Sequence, residues 1–353
     1  MAQIIGGFAS SHTPLMSLPG EQWHLRADDD TRNKELVQAV TGRHMPYNEL
    51  LKEADPDIAK QINVETFVRK YDSIQKNLNL LDEYFGAANP DVVVMFGDDQ
   101  DEMWFEDNMP SINVFWGEKA RFAARRSATA TNTTAAIQVS NSVYHVDTED
   151  WPVESNLGLH IIETLMERDF DPSHSRYFHE QYGGSIGPAT WYLDWKRETK
   201  PRRQGLGHAF AFPVNRWFHG LQPEIVPIEI NTCYPPNWIS PRRAYALGRA
   251  VRDAIQSWDS DKRVAIVTSG GLSHFVVDEE LDRIALKGLS EANGEVLTNL
   301  PRHRLQSAST EILNWVAAAG AMGDTPMEVM MYEPGYRSLA GTGCGCAVGR
   351  WVV

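Results

Sequence analysis

"RVAIVTSGGLSH", residues 263–274, runs from a β-branched, apolar pattern straight into small polar residues and ends on a histidine. Three other segments share that design: "QIIGGFASSH" (3–12), "VVVMFGDDQ" (92–100) and "EIVPIEINTC" (224–233). A short apolar run bounded by turn-forming residues reads as a buried strand. Between these runs lie helical patterns at 64–85, 158–168, 240–258 and 309–323. Strands alternating with helices predict an α/β fold, with a central mixed or largely parallel sheet covered by helices on both faces. Ligands of such sheets sit beyond the carboxyl ends of the strands. The active site is therefore expected among the residues that close the runs: His12, Asp98, Asp99, Gln100 and His274.

The 353 residues are read as a single catalytic α/β domain with two excursions, at about 17–60 and 171–206. The first is polar and turn-rich; the second carries glycines, aromatics and the basic residues Arg197, Lys200, Arg202 and Arg203. Those four can attract an anionic substrate, and a solvated charge run is the plainer alternative. A net charge of -14 argues against a nucleic-acid backbone or an anionic membrane as partner. A small molecule fits better. The opening "MAQIIGGFASSHTPLM" lacks the basic and apolar regions of a signal peptide, and no apolar run approaches the roughly 18 to 20 residues of a membrane span. A cytoplasmic protein is expected. Cys233, Cys344 and Cys346 are too few for a disulfide framework and wrongly spaced for structural zinc, so reduced thiols are expected.

Several residues at or near the strand ends carry chemistry. "SSHTP" sets His12 just past the first run, and Gly270 and Gly271 let the backbone before His274 turn sharply. "GLGHAFAFP" adds His208 in an apolar setting, where a satisfied core histidine is the alternative. Glu311 opens the apolar helix "EILNWVAAAGAMG", either as a cap favoured by the helix dipole or as a partner for a cation. Histidines and carboxylates from separate segments are how a non-haem metal site is assembled. In a two-histidine, one-carboxylate triad the open positions take substrate and dioxygen.

In chain order, "SSHTP", the apolar strand followed by "F..D.MP", "H-x-F-A-x-P", "SGGLSH" and "EI..WVAA..A" resemble the class III extradiol ring-cleavage dioxygenases. This is the family of the protocatechuate 4,5-dioxygenase catalytic subunit and 2,3-dihydroxyphenylpropionate dioxygenase. The resemblance spans the core elements but neither excursion. It implies iron(II), with Mn(II) or Zn(II) as runners-up, held by His12 and Glu311. It makes His274 an acid/base group beside the substrate hydroxyl and gives His208 a part in O–O cleavage or protonation. It further implies a small aromatic substrate and dioxygen as partners, both oxygen atoms entering a catechol-like or hydroxylated (hetero)aromatic ring, and a homo-oligomer.

Two departures stand out. An ungapped match of "FGDDQDEMWFEDNMP" (96–110) puts Gln100 where the family has its second iron histidine. Gln100 can coordinate through its amide oxygen; Asp98 or Asp99 can take its place, giving one histidine and two carboxylates; or metal is lost or weakly held. An Asx-type turn is the structural alternative for the two aspartates. Gly207 stands where relatives commonly carry Asp, which is expected to leave His208 without an orienting carboxylate. Tyr47, Trp104, Trp191 and Trp195 can stack on an aromatic ring, with packing as their plainer use. "GTGCGCAVGRW" reads as a turn into a final strand rather than a phosphate loop. Two competing readings keep the fold: a metal-dependent hydrolase or decarboxylase, and a non-enzymatic homologue with a degenerate pocket.

Overall fold

Among the described residues, nine strands form one sheet. They are β1 (Gln3–Ser10), β2 (Val92–Asp98), β3 (Ile112–Phe115), β4 (Ser173–Ser175), β5 (Glu224–Ile230), β6 (Arg263–Ser269), β7 (His274–Val276), β8 (Met327–Tyr336) and β9 (Thr342–Val352). The computed structural model describes all residues except 101, 105–107, 124–135, 137, 140–141, 145, 147–149, 179 and 183–200, with backbone only at 180–182 and 201–203. Spatial order is β7-β9-β1-β6-β2-β5-β3-β4, and β8 also pairs with β9. The central four, β1, β6, β2 and β5, are mutually parallel. Their register aligns Ser10 with Ser269 and Asp98 with Ile230, so these carboxyl ends open on one side. The flanking β9 and β3 run antiparallel to that core.

Strand alternation sorts the core into two layers. Val92, Val94 and Phe96 of β2 join one cluster while Val93 and Met95 join the other, and β6 divides in the same way with Val264 and Ile266 against Ala265 and Val267. Helices α2 (Ser155–Met166), α4 (Pro241–Ser257), α5 (Glu279–Ser290) and α6 (Ile312–Met322) build the first layer. The second layer holds α1 (Val64–Ala88) and α3 (His208–Trp217). The expected α/β sheet with helices on both faces is what forms.

Local chemistry accounts for the helix boundaries. Asn63 caps α1 by accepting from Thr66 N–H, and Asn89 ends it in the left-handed conformation. Phe67, Ile74, Leu78, Leu81 and Phe85 recur at helical spacing on its buried face. Ser240 caps α4, with Pro241 at its first position. Helix α6 is buried on every side, as its continuous apolar sequence requires. It packs so closely on α4 that a Cβ at Gly248 would lie 1.9 Å from the Ala317 carbonyl oxygen. That backbone approach needs glycine, and it fixes the helix that begins beside Glu311.

The excursion at 17–60 holds short helices Trp23–Asp30 and Tyr47–Glu53 around a two-stranded pair, Leu36–Val37 with His44–Met45. Leu36, Met45, Leu50 and Tyr47 pack with Phe275 and Val276, the residues directly after His274. A buried Asp30–Arg337 pair, with two contacts of 2.7 Å, ties the excursion to the segment between β8 and β9. It thus braces the strand that carries His274. In the excursion at 171–206, Arg197, Lys200, Trp191 and Trp195 lie outside the described residues. Arg202 and Arg203 belong to a short strand, Pro201–Arg203, paired with Glu180–Tyr182, whose side chains are likewise outside the description.

Candidate metal centre

The parallel strands deliver their closing residues to one buried point. His12 follows β1, Asp98 ends β2 and Gln100 lies just beyond it, Gly270 and Gly271 follow β6, and Glu311 precedes α6. Glu311 is 1 % exposed and sits at the middle of the group. Its Oε2 accepts the Gly271 N–H at 2.6 Å and lies 3.1 Å from His12 Nε2. Its Oε1 accepts from the Gln100 amide at 2.7 Å and lies 3.2 Å from His274 Nε2. Of the two uses open to Glu311, capping is not the one adopted, since its side chain makes no cap bond. Burial alone would raise the Glu311 pKa, but the facing charges of His274 and His12 hold it well below the usual carboxylate range.

Hydrogen bonds fix the tautomer of His12. Ser269 Oγ donates to the Ala209 carbonyl at 2.5 Å, so its proton is committed. His12 Nδ1, 2.8 Å from the same oxygen, must then be the donor. In the neutral ring this leaves a lone pair on Nε2, facing a carboxylate oxygen. Among the described residues, His12 Nε2 has no hydrogen-bond partner of good geometry, and it is buried. A buried acceptor set against another acceptor is costly, so the contact calls for a cation between them or for a proton on Nε2, the ion pair that lowers the Glu311 pKa. The donor set therefore suits a metal ion.

Asp98 and Asp99, adjacent in sequence, separate in space. Asp98 Oδ1 accepts from Asn314 Nδ2 at 2.8 Å, and its Oδ2 takes the second N–H of Gln100 at 3.2 Å. Burial, then the Glu311 charge, pushes the Asp98 pKa up to about 7. A cation would relieve that repulsion. The Asp99 carboxylate instead turns to the backbone N–H groups of Met103 at 2.7 Å and Trp104 at 3.1 Å. Its bonds reach the backbone three to five residues on, which caps the following segment without closing an Asx turn, and it faces Glu229 and Glu102, with burial first and those charges second raising its pKa well above the usual range.

His274 is braced at both ring nitrogens. Nδ1 donates to the Leu272 carbonyl at 2.8 Å, and Nε2 points to Glu311. Burial alone would lower its pKa, yet the Glu311 charge raises it well above the ordinary histidine value. Gly271 makes room for this ring: a Cβ there would lie 2.4 Å from His274 Cε1.

His208 requires a correction. With Gly207 before it, the histidine was expected to lack an orienting carboxylate. Glu102 supplies one: its Oε1 and Oε2 lie 2.9 and 2.7 Å from His208 Nδ1, and Oε2 accepts the His208 backbone N–H at 3.2 Å. Glycine at 207 permits this, because a Cβ there would meet Glu102 Oε2 at 2.3 Å. The His208 and His12 rings are edge to face, with centroids 4.5 Å apart.

Among the described residues, two groups offer metal-ligand atoms within 4.8 Å of one another: His12, His208 and Glu311, and Asp98, Cys233 and Glu311. Gln100 faces the two carboxylates with its amide N–H groups.

The model of the catalytic LigB subunit of aromatic ring-opening dioxygenase matches residues 79–345. The chain belongs to the LigB family. The matched span starts within α1 and runs into β9, so it takes in Asp98, Gln100, His208, His274 and Glu311, while His12 and the first excursion precede it. The chain is also similar to gallate dioxygenase of Pseudomonas putida, with 37% identity over 81 residues, 22% of this chain and 24% of that protein. The match thus spans about a quarter of that relative's length.

Glu102, Ser269, Asn314, Tyr144 and Cys233 are site residues that sequence reasoning did not assign. Tyr144 donates its hydroxyl to the His12 carbonyl and sets its ring edge toward His208. Of the candidate stackers, Trp104 donates its indole N–H to Glu229 at 2.8 Å and Tyr47 packs in the apolar cluster of the excursion. All three cysteines are free thiols.

Proposed function

We propose that this LigB-family protein is a non-haem iron(II)-dependent, extradiol-type dioxygenase acting on a catechol-like or hydroxylated (hetero)aromatic compound. One observation carries the reading: at the carboxyl ends of parallel strands, buried His12 Nε2 and the Glu311 carboxylate face each other at 3.1 Å, with His208 beside them. His12 and Glu311 would hold the ion, with a further donor from Gln100, Asp98, Asp99 or His208. When bound, iron(II) supplies open positions for a diol and dioxygen and the redox chemistry that joins them.

The chain's own groups supply orientation and proton transfer. His274 Nε2, aimed into the pocket, is the group to exchange a proton with a substrate hydroxyl. Its Nδ1 bond to Leu272 fixes which nitrogen does so. Gln100 holds Asp98 and Glu311 at a set spacing, and Ser269 holds the His12 ring. Burial of the site excludes bulk water from the reacting groups.

The named substrate of the similar Pseudomonas putida protein makes gallate the first compound to try. Iron-reconstituted protein is expected to consume oxygen with gallate or another vicinal diol and to lose that activity on chelation. A second reading, metal-dependent hydrolysis or decarboxylation through a bound water, is favoured by the grouping of the Cys233 thiol with Asp98 and Glu311, a donor set that suits zinc. Turnover in the absence of oxygen would establish it.

A further inference from the structure

The sequence lacks an imidazole at Gln100, and the pocket holds another. We propose that His208, oriented by Glu102, supplies the second histidine of a two-histidine, one-carboxylate centre with His12 and Glu311, replacing the imidazole absent at position 100. This deepens the functional reading above and rests on it. It also moves His208 from the proton-transfer part that the family resemblance implied to a part in holding metal.

Convergence is the first argument. His12, His208 and Glu311 arrive from the end of β1, the start of α3 and the start of α6, and their ligand atoms lie within 4.8 Å of one another. Bonds of about 2.0–2.2 Å to nitrogen and oxygen put neighbouring ligand atoms roughly 3 Å apart, the separation His12 Nε2 and Glu311 Oε2 already have at 3.1 Å, so His208 is the ligand that closes in on binding. Gln100 turns its amide nitrogen, which has no lone pair to give a metal, toward Glu311 and Asp98. Asp98 groups with Cys233 and Glu311 instead of with the histidines.

Tautomer is the second argument. The Glu102 carboxylate holds His208 Nδ1 at 2.7 Å, so in the neutral ring Nδ1 carries the proton and Nε2 the lone pair. A carboxylate behind one ring nitrogen, with the other presented forward, is how metal-ligating histidines are oriented. Ser269 imposes the same polarity on His12. Both imidazoles thus keep Nε2 as the nitrogen without a proton in the neutral ring, beside a buried carboxylate.

The arrangement depends on a specific fit. Glu102 reaches both the ring and the backbone N–H of His208 through space that any side chain at 207 would fill. Glycine before His208 and glutamate at 102 therefore belong to one device. It spans 106 positions of sequence.

Metal binding tests this without relying on turnover. Wild type, His208→Ala, Glu102→Gln and His208→Ala with Gln100→His would be loaded anaerobically with iron(II), desalted and assayed for iron, and the melting shift of each with Mn(II) recorded. Wild type is expected to retain about one iron per chain and His208→Ala less than about a tenth of that. Glu102→Gln is expected to weaken affinity roughly ten- to hundred-fold, and Gln100→His to restore iron to the His208→Ala chain. Should His208→Ala fail to fold, the Glu102→Gln affinity decides. Full iron retention in His208→Ala, or unchanged affinity in Glu102→Gln, overturns the ligand assignment and leaves the functional reading standing. No iron in wild type overturns both.

Discussion

The amide of Gln100 donates one N–H to Glu311 Oε1 at 2.7 Å and the other to Asp98 Oδ2 at 3.2 Å, so a single neutral side chain ties together two buried carboxylates. Replacement by glutamate would put a third carboxylate against them. Leaving a buried charge unpaired costs about 3–5 kcal/mol. Gln100→Glu is therefore expected to lower the melting temperature of metal-free protein at neutral pH by several degrees and to recover on addition of a divalent cation. Equal melting of the two metal-free proteins would count against the clamp.

Ser269 contributes to the centre through one hydroxyl, which fixes the His12 tautomer. Ser269→Ala removes that constraint and only a small volume. Metal affinity is expected to fall roughly tenfold or more, while metal-free stability changes by about 1 kcal/mol. Calorimetric titration with Mn(II), alongside denaturant melts, separates the two effects; equal losses in both would mean that the hydroxyl is merely structural.

Helix α6 reaches the site only because α4 lets it approach. A methyl at Gly248 would lie 1.9 Å from Ala317 O and 2.7 Å from Ala321 N, both backbone atoms that cannot turn aside. Gly248→Ala is expected to cost about 1–3 kcal/mol and to weaken metal binding as well, since Glu311 opens that helix. A variant with wild-type melting would show that the helices separate without strain.

Asp282 gives a pH signature away from the proposed ligands. Burial outweighs its bonds from Ser273 and Tyr332 and raises its pKa to about 7 from the ordinary 3.8. The folded chain thus keeps a proton that the unfolded chain has released between these values, so stability falls as pH rises through that window. Asp282→Asn cannot release a proton. Relative to wild type, it is expected to gain stability from pH 4 to pH 8, read as the difference between paired melts; a constant difference would contradict the buried acid.

Much of this was legible in the sequence. Strand alternation in "VVVMF" maps directly onto the two core layers, and the rule that ligands gather at strand carboxyl ends finds His12 and His274. Glu311 was readable as a carboxylate on an otherwise apolar helix. What sequence could not give was direction. Asp98 and Asp99 are neighbours, but the end of a strand sends one into the pocket and turns the other to backbone N–H groups. The Glu102–His208 pair was hidden because Gly207 registers as a loss until the space it leaves is seen to be filled from another segment. The bracing role of the first excursion was not legible because its contact with Phe275 and Val276 joins short, distant apolar patches with no common pattern.

Oxygen uptake by iron(II)-reconstituted protein supplied with gallate and a panel of catechols tests the central claim most directly. About one dioxygen consumed per ring opened is expected, with activity abolished by chelation and in His12→Ala. Turnover that proceeds without oxygen, or that survives in His12→Ala, would contradict the account.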